Sequence, residues 1–273
     1  MRIINQNPSK PVRWMLGLLP FIVLFFIYIA ASQHRLAENP NDKLLPDLGK
    51  MGTAIERLAL EPSKRTGEYL FWQDTASSLQ RLAMGVGISA LLGLIVGLLN
   101  GAIPMVRANL SPLVTAISLI PPMAILPILF IIFGLGEVSK VVLIVIGIAP
   151  FIMRDIQART LEIPKEQLIK AQTLMANSWQ IILRVLLPQI VPRLLDTVRL
   201  SLGAAWIFLI AAEAIAATDG LGYRIFLVRR YLSMDVILPY VLWITLLAFC
   251  IDWLLRFISA RLFPWYHSQQ AKS

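Results

Sequence analysis

Long apolar segments separated by short polar ones dominate the chain. A helix needs about 20 consecutive apolar residues to cross the hydrocarbon core of a bilayer, and six segments approach that length. The pattern therefore predicts an all-α integral membrane protein with six transmembrane helices. These are Trp14–Ala31, Leu82–Ile103, the uncharged stretch between Arg107 and Glu137, Val138–Met153, Leu200–Ala217 and Val236–Phe257.

One polar segment, Ile163–Pro192, interrupts the apolar pattern and has a helical period of its own. Its apolar residues recur at steps of three and four, which is typical of one helix face or of two short helices with a bend near Asn177. Such a segment either lies on the membrane surface or docks into a groove of a soluble partner. The residues that set the period are Leu168, Ala171, Met175, Trp179, Ile182 and Val185.

The composition agrees with a membrane protein. Hydrophobic residues make up 57% of the chain and charged residues 15%, whereas soluble domains carry about 25% charged residues. The net charge of +9 does not indicate a nucleic-acid partner, because the basic residues lie at the ends of apolar runs, where membrane topology places them. The single cysteine, Cys250, excludes an intrachain disulfide.

The start of the chain resembles a signal peptide but predicts a retained span. The uncharged stretch Trp14–Ala31 has 18 residues, and the apolar region of a signal peptide has about 7–15. Six spans place both termini on one side, and the distribution of Lys and Arg favours the cytoplasm. We expect a cytoplasmic tail and first helix at 1–35, an extracytoplasmic linker with a short amphipathic helix at 36–72, a five-helix core at 73–263 with a cytoplasmic loop at 155–190, and a cytoplasmic tail at 264–273.

The stretch AQTLMANSWQIILRVLLP resembles the cytoplasmic loop of ABC importer permeases. The pattern of that loop is EAA, three residues, Gly, nine residues and I-x-L-P. Ala171 holds the place of the last alanine, Val185 that of the isoleucine, and Leu187 and Pro188 close the pattern. Ile169-Lys170 replaces Glu-Ala, and Met175 replaces the glycine. Because glycine adopts backbone conformations that methionine avoids, the course of the bend at Met175 stays open.

Two further stretches, Asp74–Gly101 and Ala211–Ile225, are similar to permeases of the nitrate/sulfonate/taurine subfamily, and the resemblance covers Asp74–Phe263. It implies the type I ABC importer permease architecture in a bacterial inner membrane. It also implies cytoplasmic ATPase subunits, an extracytoplasmic solute-binding protein and a permease homodimer that moves a small solute by alternating access. The residues implied to couple the loop to the ATPase are Pro164, Leu168, Ala171, Gln172, Met175, Trp179, Val185, Leu187 and Pro188.

A resemblance over two shorter segments leads to an expectation about the class of solute. Segments 42–75 and 214–240 look like permeases associated with urea or guanidine carboxylase systems, which favours a small nitrogenous solute. The subfamily as a whole implies a nitrate- or sulfonate-like solute instead. A secondary transporter or channel without an ATPase, and a structural membrane-assembly protein, are the alternatives to an importer.

Four residues inside apolar runs are candidates for the solute pathway. Glu213 is an intramembrane carboxylate, and such a group contacts a solute or gate, or serves as a buried strut between helices. Pro121, Pro122 and Pro127 interrupt the third span, and the backbone groups that proline frees are tolerated only inside protein or beside a cavity. The small residues Gly93, Gly97 and Gly101 predict close helix packing within the chain, with a homodimer contact as the alternative.

The chain carries no recognisable catalytic chemistry. It has no nucleotide-binding loop of the G-x-x-x-x-G-K-[ST] type, and its His, Cys, Asp and Glu residues form no metal-ligand pattern. We therefore expect no catalytic residue, metal or cofactor in this chain. ATP would be bound and hydrolysed by the partner subunit.

Overall fold

The computed structural model describes residues 9–40, 42–63 and 67–270. Parts of the predicted segments 1–35, 36–72 and 264–273 lie outside the described residues. The described part is helical throughout. Its helices are α1 (Lys10–Glu38), α2 (Leu48–Leu60), α3 (Leu70–Ala102), α4 (Pro104–Ser118), α5 (Pro122–Phe133), α6 (Glu137–Leu161), α7 (Lys165–Thr173), α8 (Ser178–Ile181), a π-helical turn (Ile182–Leu186), α9 (Leu187–Ala216), α10 (Leu221–Arg229), α11 (Met234–Leu262) and α12 (Pro264–Gln270).

The membrane-spanning helices confirm the prediction of a six-span, all-α fold when a bent pair is counted as one span. Five helices are long and apolar enough to cross a bilayer, and α4 and α5 together form the sixth candidate, bent by 95°. The bend falls at Pro121 and Pro122. Proline cannot donate a backbone hydrogen bond, and it disfavours helical geometry in the residue before it. The third span, which the sequence predicts to be interrupted by prolines, is therefore an elbow.

Two helices extend well beyond the apolar runs that predict them. The second span begins at Leu70 rather than at Leu82, and the fifth continues from Ser178 through α9 to Ala216. In both cases the extension carries charged side chains. A span that is predicted from apolar residues ends at the first charged residue. The helix itself continues past a charged residue whose side chain finds a partner inside the protein.

Helices α3 and α6 form the centre of the bundle, and glycines of α3 allow their close approach. A Cβ at Gly85 would lie 2.7 Å from Ile144, and one at Gly97 would lie 2.7 Å from the backbone oxygen of Met153. Gly93 and Gly101 face Ile152 and Thr160 in the same way. The predicted packing of the small residues within the chain is thus confirmed, and the alternative of a homodimer contact is wrong for these glycines.

Helix α1 is almost separate from this bundle. Only 6% of its apolar window is buried, and it is joined to the loop before α2 through two hydroxyl groups. Tyr28 Oη donates to the Pro46 oxygen at 2.6 Å, and Ser32 Oγ donates to the Leu45 oxygen at 3.0 Å. Helix α2 lies where the sequence predicts an amphipathic helix. Its N-cap, Asp47, accepts a hydrogen bond from the Lys50 N–H at 2.6 Å.

Candidate functional site

The inner loop between α6 and α9 consists of two short helices with a bend. Helix α7 ends at Thr173, and α8 begins at Ser178. The side chain of Asn177 accepts a hydrogen bond from the Gln180 N–H at 2.8 Å, and Gln180 Oε1 accepts one from the Asn177 N–H at 2.9 Å. This reciprocal capping box fixes the start of a helix. The structure therefore confirms the bend predicted near Asn177.

Met175 forms the bend without glycine. Its φ is +60°, the left-handed conformation that costs an L-residue roughly 1–2 kcal/mol. The Met175 N–H donates to the Gln172 oxygen at 2.9 Å, and the next residue, Ala176, donates to the Ala171 oxygen at 3.1 Å. Helix α7 thus ends with its last carbonyls satisfied. The Met175 side chain is 92% exposed.

The predicted apolar face of the loop is divided between the interior and the surface. Leu168 packs against the core together with Ile182 and Leu186, so it does not lie on an outer docking face. The loop exposes several apolar side chains near the bend. Their exposed fractions are 56% for Ile169, 82% for Leu174, 92% for Met175, 62% for Trp179 and 55% for Leu183. The predicted period did not include Ile169, Leu174 and Leu183, although Leu183 lies four residues after Trp179 and hence on the same helix face.

The remaining residues predicted to couple the loop lie around its base. Ala171, Val185 and Leu187 are half-buried, whereas Pro164, Gln172 and Pro188 are exposed. Gln189 Nε2 donates to Gln167 Oε1 at 3.0 Å, which fastens α7 to α9. A displacement of the loop would therefore reach α9 directly. The role of these residues in coupling stays a prediction.

At the other end of the bundle, a single guanidinium joins four parts of the fold. Arg81 of α3 is 3% exposed. Its Nη1 donates to Glu213 Oε1 of α9 at 2.8 Å and to the Asp219 backbone oxygen at 3.0 Å. It also donates to the carboxylates of Asp219 and of Glu137, the first residue of α6. Lys140 Nζ donates to Glu137 Oε1 at 2.7 Å and adds a second cation.

Glu213 is a strut in this structure. It is 0% exposed, and its carboxylate accepts from Ser78 Oγ at 2.8 Å and from the Gly222 N–H at 2.9 Å, besides Arg81. Its acceptor sites are therefore occupied by groups of the same chain. Of the two alternatives for Glu213, the strut fits this geometry, and the side chain lines no opening in this conformation.

A second buried ion pair lies beside the first. Arg224 of α10 donates to Asp74 of α3 through Nε at 2.7 Å and Nη2 at 3.2 Å. Asp74 also accepts from Tyr240 Oη at 3.1 Å and from the Gly220 N–H at 3.0 Å. Burial favours the neutral form of the Arg224 guanidinium, but its bonds to Asp74 hold its pKa above the usual value. The positive charge of Arg224 is therefore balanced inside the protein by the carboxylate of Asp74.

We call this assembly the outer polar cluster. It ties the start of α3 and the start of α6 to the turn between α9 and α10. Its α3 members are spaced i, i+4 and i+7, which places them on one helix face, and that spacing was the available sequence signal. The cluster consists of Asp74, Ser78, Arg81, Glu137, Lys140, Glu213, Asp219 and Arg224.

The prolines of the third span lie at and after the elbow. Pro121 and Pro127 are exposed and Pro122 is half-buried. Their predicted place along the solute pathway remains a prediction. Within the described ranges, no group of three or more His, Cys, Asp or Glu residues could hold a metal ion.

The described structure is that of a multi-pass membrane protein, a helical bundle with a broken span and with an exposed apolar loop at one end. Residues 66–264 match the family described as "Binding-protein-dependent transport system inner membrane component". The chain belongs to this family.

Two relatives support this assignment, and one solved structure has a similar fold. The chain is 36% identical to the taurine transport system permease protein of Escherichia coli (strain K12), over 73% of this chain and 72% of that protein. It is 31% identical to the bicarbonate transport system permease protein of Synechococcus elongatus, over 93% and 95% of the two chains. The inward-facing MetNI methionine ABC transporter has a similar fold, with a TM-score of 0.60 and 23% identity over 73% of this chain and 97% of that chain.

The chain is therefore the membrane-spanning permease subunit of an ABC importer. Other relatives are named as permeases for aliphatic sulfonates and nitrate, which confirms the predicted nitrate/sulfonate/taurine subfamily. The family consists of transport subunits rather than enzymes, and it implies ATPase and solute-binding partners in an inner membrane. The alternatives of a secondary transporter and of a structural assembly protein are set aside.

Proposed function

We propose that this permease imports a small oxyanion and that its inner loop docks on a cytoplasmic ATPase subunit. The observation that carries the docking is the cluster of exposed apolar side chains at the bend between α7 and α8. Leu174, Met175 and Trp179 are 82%, 92% and 62% exposed. Apolar surface costs roughly 25 cal/mol per Å² while it faces water, so a cluster of this kind indicates an interaction site.

An ATPase subunit fits this surface better than a lipid bilayer does. A helix that lies on a membrane presents one continuous apolar stripe, whereas the bend here divides the apolar residues of α7 and α8 into an inward set and an exposed set at the bend. Helix α7, which leads to the bend, exposes charges of both signs at Lys165, Glu166 and Lys170, which suits a protein groove. ATP binding and hydrolysis belong to that partner.

The remaining parts of the assembly follow from this orientation. We place the inner loop and both termini in the cytoplasm, and the outer polar cluster on the face that meets the solute-binding protein. Two copies of this chain form the pathway in the proposed assembly. ATP-driven movement of the loops shifts the population between inward- and outward-facing states, which requires the partners to bind the two states with different affinities.

The proposed solute class comes from the relatives. Taurine carries a sulfonate, and sulfonates, nitrate and bicarbonate are oxyanions at neutral pH. The expectation of a urea- or guanidine-like solute rests only on the resemblance of segments 42–75 and 214–240. Binding assays on the cognate solute-binding protein decide between the two. Tight binding of urea or guanidine, with none of taurine, nitrate or bicarbonate, would overturn the oxyanion proposal.

Co-purification tests the docking surface. We expect the ATPase subunit to co-purify with the unaltered permease and to be lost, at least in large part, from Trp179→Ala. Trp265→Ala is the matched control, because Trp265 is also exposed (42%) but belongs to α12 and not to the loop. Equal recovery of the ATPase with both variants and with the unaltered protein would contradict docking at Trp179.

A further inference from the structure

Arg154 is a cation without a carboxylate partner near the inner end of a span. Its Nη1 donates to Ser118 Oγ at 2.9 Å, and among the described residues no carboxylate forms an ion pair with it. The neighbouring charges are paired. Asp155 binds Thr197 and Arg159, and Arg193 binds Glu162. Arg154 is exposed at the end of the apolar part of α6, where an arginine is either an interfacial anchor or a candidate for a functional contact.

The direction of Arg154 differs from that of its paired neighbours. Successive residues of an α-helix point about 100° apart, so Asp155 faces α9 while Arg154 faces α4. Gln157, almost one turn further along α6, is on the same side and bonds Ser111 of α4, with Nε2 to Oγ at 3.2 Å. Helices α4 and α6 are thus joined by a polar seam in the inner half of the protein.

A buried acceptor extends this seam. Asn100 of α3 is 0% exposed. Its Nδ2 donates to Gln157 Oε1 at 3.4 Å, but its Oδ1 has no hydrogen-bond partner. A buried polar atom that stays unsatisfied costs about 1–3 kcal/mol, and water is the usual partner of such atoms. The seam thus places a buried, unpartnered acceptor beside polar side chains, a setting in which ordered water is usual.

The seam ends at the elbow of the broken span. Ser118 is the last residue of α4, and the backbone leaves the helix at Leu119 before α5 begins at Pro122. Non-helical backbone at membrane depth is tolerated where it is enclosed by protein or lines a water-filled cavity. Leu119 is 74% exposed, so this chain does not cover the elbow on that side, and the Arg154 guanidinium bonds Ser118 at its α4 end.

We infer that Arg154 and Ser118 form an anion contact at the inner end of the solute pathway, beside the elbow between α4 and α5. This contact rests on the proposed function and names a residue that selects the solute. Arginine has five N–H donors in a planar fork, and one of its nitrogens is held by Ser118. The remaining donors match a sulfonate, nitrate or carboxylate group. The same charge repels a guanidinium ion.

Thiol reactivity measures the potential at the elbow without knowledge of the solute. Cys250 is the chain's one cysteine and is replaced by serine, and Leu119→Cys then places a single thiol next to Ser118. We compare its reaction with an anionic and a cationic methanethiosulfonate reagent in the assembled importer. The anionic-to-cationic rate ratio falls at least about threefold when Arg154→Gln is added, because a unit charge a few ångströms away shifts both rates in opposite directions.

Arg159→Gln is the control for this measurement. It removes the same charge from α6, but Arg159 faces Asp155 and Glu162 instead of the elbow, so the ratio stays as in the Arg154-containing protein. An unchanged ratio in Arg154→Gln would overturn the inference. So would an equal fall of the ratio in both variants, because it would indicate a general surface potential.

Uptake into vesicles that contain the complete importer tests the same contact with taurine and with nitrate as probes. ATP-driven uptake falls about tenfold in Arg154→Gln, recovers in part in Arg154→Lys, and persists in Arg159→Gln, while the ATPase subunit co-purifies with each. Unchanged uptake in Arg154→Gln overturns the contact, and so does loss of membrane insertion, which would make Arg154 a lipid-headgroup anchor. Absence of ATP-driven uptake with unaltered protein counts against the proposed function, and thiol reactivity then decides on the contact by itself.

Discussion

Arg81 Nη1 and Glu213 Oε1 are 2.8 Å apart, and their side chains are only 3% and 0% exposed. The two residues are 132 positions apart in the sequence, so this one bond fastens the start of α3 to the end of α9. Removing one partner of a buried pair leaves an uncompensated charge, which costs far more than the pair contributes when intact. The pair therefore fixes the geometry of the outer turn.

We expect Arg81→Gln to destabilise the protein by about 3–5 kcal/mol, because it leaves the buried carboxyl group of Glu213 without its cation. Glu213→Gln leaves Arg81 with Glu137 and Asp219 and is expected to cost less. The double variant should lose less than the sum of the two single losses, since residues in contact couple. Unfolding by denaturant in detergent micelles measures the three changes.

Arg256→Gln is the control for that series. Arg256 pairs with Asp252 at 3.1 Å, but it is 62% exposed, and exposed pairs contribute about 0–1 kcal/mol. A strictly additive double variant at Arg81 and Glu213 would show that the two side chains do not interact.

Gly220 and Gly134 form a matched pair that tests how closely the outer polar cluster packs around Gly220. Both have backbone conformations reserved for glycine, with φ of 116° and 74°, and such strain costs an L-residue about 1–3 kcal/mol. A Cβ at Gly220 would lie 2.6 Å from the Glu213 carboxylate and 2.8 Å from Arg81 Nη1, whereas one at Gly134 meets nothing within 4 Å. Gly220→Ala should therefore cost clearly more than Gly134→Ala. Equal melting temperatures of the two variants would refute the tight fit at Gly220.

Gly97 and Gly87 test the contact between α3 and α6 in the same way. Gly97→Ala places a methyl group against the backbone oxygen of Met153, which the neighbouring helix cannot avoid without moving, and we expect a loss of about 1–3 kcal/mol. Gly87 has open space around it, so Gly87→Ala should be neutral or stabilise by up to about 1 kcal/mol. Thermal unfolding of both variants in one detergent gives the comparison. A stable Gly97→Ala protein would contradict the close packing.

Two substitutions of Met175 distinguish the effect of backbone strain from the effect of its side chain on docking. Met175→Gly relieves the left-handed conformation, worth roughly 1–2 kcal/mol, whereas Met175→Ala keeps φ positive with a Cβ present. Both variants remove the exposed side chain. We expect slower hydrogen exchange at the bend in Met175→Gly than in Met175→Ala, and an equal loss of ATPase co-purification in the two. Unequal co-purification would mean that loop geometry, and not the side chain, controls docking.

The sequence was sufficient for those features that depend on local pattern. Apolar runs located the spans, and the period of Leu168, Met175 and Trp179 located the inner loop and its bend. The period could not say which apolar side chains face outward, because the bend at Met175 turns α8 relative to α7. A positive φ at a methionine has no signature in residue spacing.

The outer polar cluster lay beyond sequence reasoning for a different reason. Arg81 and Asp74 looked like residues outside the bilayer because charges usually end a span, and their partners Glu213 and Arg224 are more than 130 positions away. Pairing at such separation is decided by tertiary packing alone. The elbow at Pro121 was visible as a break, but its 95° angle depends on how α5 packs against α6.

The separation of 132 residues in sequence between Arg81 and Glu213 also means that the two residues are synthesised at different times. A ribosome adds about 5–20 residues per second, so Glu213 is synthesised roughly 7–26 s after Arg81. During that interval α3 already exists with its guanidinium, and of the three carboxylates that finally surround Arg81 only that of Glu137 comes early. The start of α3 must therefore remain in contact with water, or with the insertion machinery, until α9 arrives.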